Sequence, residues 1–227
     1  MRIKFFFVLF ILSQLIYVAN TDGALLLNEG QETLNIDARQ IDVLEDPKGS
    51  LKIEDMKRPE ILKRFKKHDK KVLGFGFTKS SIWIKLPVQN KSSIKNWVLN
   101  INFPDLDEII LYKKNNKGQW EKTFGGDIFS ADKWEFKYKD YIFNLSEEEV
   151  STYFLNVKSQ GAITIPLQIM TKDSFFKLRG KSRLFFGGFF SILIFMIIYN
   201  IIIAFFLKSK PFFYYVGFLA SVAWMTS

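Results

Sequence analysis

The chain of 227 residues contains no cysteine and one histidine, His68. The first absence removes disulfide scaffolds, thiolate zinc sites, cysteine nucleophiles and a lipoprotein anchor. The second argues against His-based metal sites and against a Ser-His-Asp triad. Arginine is scarce beside lysine, 6 against 26. Against these shortages stand 25 phenylalanines and a net charge of +9. Neither surplus is spread evenly, and their placement divides the chain into unlike pieces.

Arg2 and Lys4 precede an uncharged run from Phe5 to Ala19, which gives way to Asn20, Thr21, Asp22 and Gly23. A basic start, about 15 apolar residues and a polar exit form the layout of a secretory signal peptide, assigned here to residues 1–23. An uncleaved anchor is the alternative, although the run falls short of the roughly 20 residues a span needs. Leu184–Leu207 is a second uncharged run, long enough to cross a bilayer with some tilt, and is read as a transmembrane helix. Asn200 is its one strongly polar residue, placed either to bond a neighbouring helix or to sit near the interface. After Lys208, Ser209, Lys210 and Pro211, a third apolar run (212–227) reads as the start of a second membrane helix. A span that stops inside hydrocarbon leaves carbonyls unpaired, so the expectation is the front part of a longer polytopic protein. The signal peptide places residues 25–179 outside. The five basic residues between Lys172 and Arg183 vote the other way, but flanking charge governs an exported domain less.

Over residues 25–179 the net charge falls to +4, and short strand-like runs recur between turn signals. Ser81–Val88 alternates, with Ile82, Ile84 and Leu86 on one face and Trp83 and Lys85 on the other. Trp97–Phe103 alternates as well, and Glu108–Lys113 leads through Asn115-Asn116-Lys117-Gly118 into Gln119–Phe124 as a hairpin. Tyr141–Leu145, Thr152–Val157 and Thr164–Met170 complete about seven strands. This spacing, with no helical period, predicts a mainly β ectodomain over 25–175, an antiparallel β-sandwich followed by membrane helices. Pro87 and Pro166 suit edge strands or bulges. Residues 57–71 stand apart, with eight basic residues against two acidic ones. Such a patch suits nucleic acid, anionic lipid or acidic polysaccharide. Export argues against nucleic acid, and the favoured reading is a solvated loop or short helix.

From Gly74 to Asn90 the pattern Gly-Phe-Gly-Phe-Thr-x-Ser-x-Ile-Trp-Ile-x-Leu-x-Val-x-Asn resembles a known signature. It is similar to the type 2 extracellular domain of bacterial seven-transmembrane receptors with diverse intracellular signalling modules. The likeness continues through Trp97-Val98-Leu99, Phe103-Pro104-x-Leu106-Asp107, Ile110-Leu111-Tyr112, Phe143-x-Leu145, Thr152–Leu155 and Pro166-Leu167. It extends into Gly187–Phe190, Tyr199-Asn200 and Phe213–Tyr215, so it covers about 25–227. The resemblance implies a jelly-roll-like outer domain that binds carbohydrate-like ligands, seven helices and a cytoplasmic output module. It also implies a bacterial inner-membrane protein with residues 25–179 on the extracytoplasmic side. Its partners would be membrane lipid, a carbohydrate ligand, further helices and that signalling module, with no nucleic acid. The sequence departs from the full pattern because the later helices and output module do not appear in it.

Sugar faces stack on aromatic rings, so exposed aromatics are the candidate ligand residues. Trp120, Trp134 and Tyr138 lie in polar surroundings and lead this set. Trp97 is a fourth, on a strand where core burial is the competing reading. Asp105, Asp107 and Glu108 beside Pro104 read as a polar turn, with a structural calcium or a glycosidase pair as alternatives. Gly125-Gly126-Asp127-Ile128-Phe129 approaches a cyclase signature but holds Ile where a carboxylate belongs, which leaves a Gly-rich turn. No catalytic residue and no cofactor beyond that calcium is expected. The leading expectation is a membrane-anchored, outward-facing ligand-sensing module rather than an enzyme. A tethered glycan-acting hydrolase and a non-signalling remnant are the rivals.

Overall fold

A computed structural model describes residues 23–130, 133–136, 140–208 and 210–226. Residues 1–22 of the proposed signal peptide and Tyr138 lie outside them. The chain divides between Lys172 and Asp173 into two units.

The first unit is built of strands, thirteen among the described residues. They are β1 (Leu25–Leu27), β2 (Thr33–Asn35), β3 (Asp42–Asp46), β4 (Lys66–Lys67), β5 (Leu73–Phe77), β6 (Ser81–Asn90) and β7 (Trp97–Ile101). There follow β8 (Glu108–Lys114), β9 (Trp120–Gly125), β10 (Tyr141–Asn144), β11 (Val150–Lys158), β12 (Ala162–Ile165) and β13 (Leu167–Thr171). One sheet runs β4-β3-β6-β11-β8-β9, with β1 added in parallel on β6. A second runs β10-β7-β13-β2, and β12 pairs with β5. The other ladder pairings are antiparallel, so the unit is an antiparallel β-sandwich, as the alternation predicts.

The alternation of each strand decides what is buried. Ile82, Ile84, Leu86 and Val88 of β6, with Leu111 of β8 and Leu155 of β11, meet Trp97, Leu99 and Ile101 of β7 and Phe143 of β10 in one core. Each such side chain contributes about 1.5–3 kcal/mol of apolar burial. Pro87 corrects the edge-strand expectation, because β6 lies inside its sheet. On one flank β3 pairs with Ser81–Lys85 and β1 with Val88–Asn90, so Pro87 falls in the gap between them. A residue without an N–H is tolerated where no neighbour pairs. Pro166 ends β12 and starts the switch to β13, so the run 164–170 is two strands in different sheets rather than one.

The Asn115–Gly118 turn forms as expected: Gly118 N–H donates to Asn115 O at 2.8 Å, and Asn115 Oδ1 accepts from Lys117 and Gln119 N–H, each at 3.0 Å. Within the basic stretch, helix α1 (Pro59–Leu62) is a single turn with proline at its start.

In the second unit, α2 (Lys172–Leu207) begins directly where β13 ends and is long and apolar enough to cross a membrane. Helical rise makes it about 54 Å long. That exceeds the roughly 30 Å hydrocarbon layer, so the helix starts well before the apolar run. Asn200 is buried, and its side-chain amide donates one N–H to Met196 O in its own helix at 2.8 Å. Lys208 adopts φ 50° after the last turn of α2, and α3 (Lys210–Thr226) follows.

Candidate functional site

The face of the β4–β9 sheet that turns away from the main core carries a second, aromatic cluster. Odd positions of β6 and even positions of β8, β9 and β11 point here, which brings together Trp83, Tyr112, Trp120 and Phe154. Trp83 stacks on Tyr112 with centroids 5.6 Å apart, and Trp120 meets Phe154 edge-on at 5.7 Å. Residues from the segment 51–65 cover part of this face with Leu51, Ile53, Met56, Ile61 and Phe65. Phe65 packs edge-on to Phe154 at 6.1 Å. Under this cover, burial pushes the Tyr112 phenol up to about 12, with the carboxylates of Glu108 and Glu54 adding to the effect.

The cover stops short of the β8–β9 end and leaves an open cleft of about 550 Å³. Met56 and Phe154 are buried side chains of its lining, and the half-buried Trp120 lines it beside them. Strand register explains the placement. Lys85 lies opposite Phe154 across β6 and β11, and Lys114 opposite Trp120 across β8 and β9. Lys114 Nζ sits 5.3 Å from the Trp120 ring centroid. The Trp120 indole N–H is buried without a hydrogen-bond partner. Thr152, Ser151 and Ser146 add hydroxyls to the rim. A shallower polar groove of about 750 Å³ adjoins, and shares Lys114, Ser146 and Glu148 with the cleft.

Of the aromatics expected to meet a ligand, Trp120 lines this cleft. Trp97 does not: it is 2% exposed in the core, with its indole N–H donated to Ile94 O at 2.9 Å. Its place in the alternating run points its ring inward, which leaves no face for a ligand. Trp134 is half-buried elsewhere, edge-on to Tyr141 at 5.4 Å, its N–H unpartnered. Tyr138 lies outside the described residues. Lys57, Lys85 and Phe154 were not singled out from the sequence. The alternation around Trp83 did place Lys85 on its face, but register alone shows Phe154 beside it.

Asp105 and Asp107 lie in the turn that leads into β8, and Glu108 is the first residue of that strand. Among the described residues no three His, Cys, Asp or Glu side chains gather to hold a metal ion. Asp107 Oδ2 accepts from Gln160 N–H at 2.6 Å. The Tyr141 hydroxyl lies 2.7 Å from Pro104 O, 3.2 Å from Leu106 O and 2.8 Å from Asp127 Oδ1. Burial first, then the bond to Asp127, drives its pKa well above the ordinary phenol value. Gly126 has φ 106°, and its N-terminal neighbour Gly125 packs under Phe143 and Tyr141. The Gly-Gly-Asp stretch therefore closes β9 against this turn.

A family model described as 7TMR-DISM extracellular 2 matches residues 38–171, more than half of the chain. The chain belongs to this family. No curated protein matches it. The matched segment of this 7TMR-DISM extracellular domain ends at Thr171, the last residue of β13, and contains every strand that lines the cleft.

Proposed function

We propose that this 7TMR-DISM extracellular domain senses a carbohydrate-like ligand in the cleft beside Trp120, on the outer side of a bacterial inner membrane. The observation that carries the reading is the cleft itself: an indole face and an apolar floor rimmed by hydroxyls and charged groups, the mixture that suits sugar rings. β13 runs into α2 without a loop, so a change in the sandwich has a covalent route into the membrane helix. Binding fits the cleft better than hydrolysis. Glu148 is its one carboxylate among the described lining residues, whereas glycoside cleavage needs two.

The test is calorimetric titration of the full chain in detergent micelles with a panel of neutral and acidic oligosaccharides. Trp120→Ala is expected to weaken binding roughly fivefold to hundredfold, since ring stacking contributes on the order of 1–3 kcal/mol per ring in comparable platforms. Trp134→Ala, outside the cleft, leaves it unchanged. Binding that survives Trp120→Ala, or no binding by any member of the panel, overturns the proposal.

A further inference from the structure

The cleft holds more positive charge than a neutral sugar would use. Lys57, Lys85 and Lys114 line it against the single carboxylate of Glu148, which accepts from Ser151 Oγ at 3.2 Å. The ion pairs among the described residues lie elsewhere. Arg58 meets Asp55 at 3.0 Å and Lys67 meets Asp42 at 3.1 Å, so two cations of the neighbouring stretch are compensated outside the cleft. Among the described residues, Lys57, Lys85 and Lys114 have no such partner. Lys85 is half-buried, and Asp42, the carboxylate opposite it across β3 and β6, pairs with Lys67, so a bound anion would offset the cost of withdrawing Lys85 from water. Lys114 lies over the Trp120 ring, which puts an ammonium group beside the surface where a sugar would stack.

We infer that the ligand of this cleft is an acidic oligosaccharide, one whose rings carry carboxylates. The inference rests on reading the cleft as a carbohydrate site. Lysine supplies compact point charges on flexible stems, suited to carboxylates spaced along a chain. The adjoining groove, lined by Lys113, Lys114 and Lys117 against Glu121, Glu147 and Glu148, is balanced in charge, so the positive surplus lies in the cleft itself. A surplus of one sign in a concave site also raises the local concentration of the opposite charge before contact.

The experiment titrates the full chain in nonionic detergent with hexagalacturonic acid and with its fully methyl-esterified form, which keeps the rings and loses the charge. The acid is expected to bind at least tenfold more tightly than the ester. Raising NaCl from about 50 to about 500 mM should weaken the acid alone, because screening acts on the charge term. The double variant Lys57→Gln/Lys85→Gln should lower acid affinity by roughly tenfold, the size expected of two partly exposed ion pairs. Lys79→Gln, an exposed lysine outside the cleft, should change nothing. The salt series uses the unaltered chain, so it decides the matter even if a variant folds poorly. Equal binding of acid and ester, or acid binding indifferent to salt and to the double variant, overturns the inference. If a neutral oligosaccharide binds and the acid does not, the inference fails and the carbohydrate reading stands. If nothing binds, both fail.

Discussion

At Gly126 the backbone takes φ 106°, and a Cβ there would lie 2.4 Å from the Asp107 carbonyl oxygen and 2.9 Å from Glu108 Cα. Both obstacles are backbone, which cannot swing aside as a side-chain tip can. Gly126→Ala is therefore expected to lower stability by about 1–3 kcal/mol from its conformation alone, with the steric shift in addition. Urea denaturation of the full chain checks this, and an unchanged midpoint contradicts it. The sequence marks this place as a glycine-rich turn, because paired glycines beside Asp are a turn signal. That Gly126 abuts the Asp105–Glu108 turn was hidden, since the two segments, about 20 residues apart, are joined by the β8–β9 ladder, by Asp127 N–H donating to Leu106 O at 3.1 Å and Ile128 N–H to Asp107 O at 3.0 Å, and by the Tyr141 hydroxyl. The same limit applies to Trp97 and Trp120. Polar neighbours around Trp120 hinted at exposure, and the alternation around Trp97 left core and platform both open.

Among the elements, β6 through β11 were legible because each is a run rich in apolar, aromatic and β-branched residues set between turn signals. β1 and β2 are three residues each and β4 is two, too short for a period to register. The cover on the outer face was masked differently: the lysines and arginines of residues 57–71 outnumber the few apolar anchors, Ile61 and Phe65, that seat it. This packing of cover on sheet has a measurable pH dependence. Tyr112 lies beneath it and is held at about 12 against an ordinary 10.0. A raised folded-state value favours the neutral phenol, so its stabilising share is full below pH 10 and is lost as pH rises toward 12. Chemical denaturation at pH 9 and pH 11.5 should show a fall in stability that Tyr112→Phe reduces. An equal fall in the variant would place the effect elsewhere, for instance on Tyr141.

For the whole molecule, the order of a β-rich matched domain followed by a long apolar helix was readable from composition shifts alone. Uncharged runs and alternating runs are the two strongest periodic signals a sequence carries. Which surface of the sandwich meets a ligand was not readable, because it depends on four strands and a cover segment far apart in the chain. The most direct measurement is hydrogen–deuterium exchange of the full chain in micelles, with and without the tightest-binding oligosaccharide of the titration panel. The account predicts slowed exchange confined to residues 54–62, 84–86, 112–122 and 146–154, which border the cleft. Protection centred on residues 124–143 around Trp134, or none at a concentration that saturates binding, would contradict it.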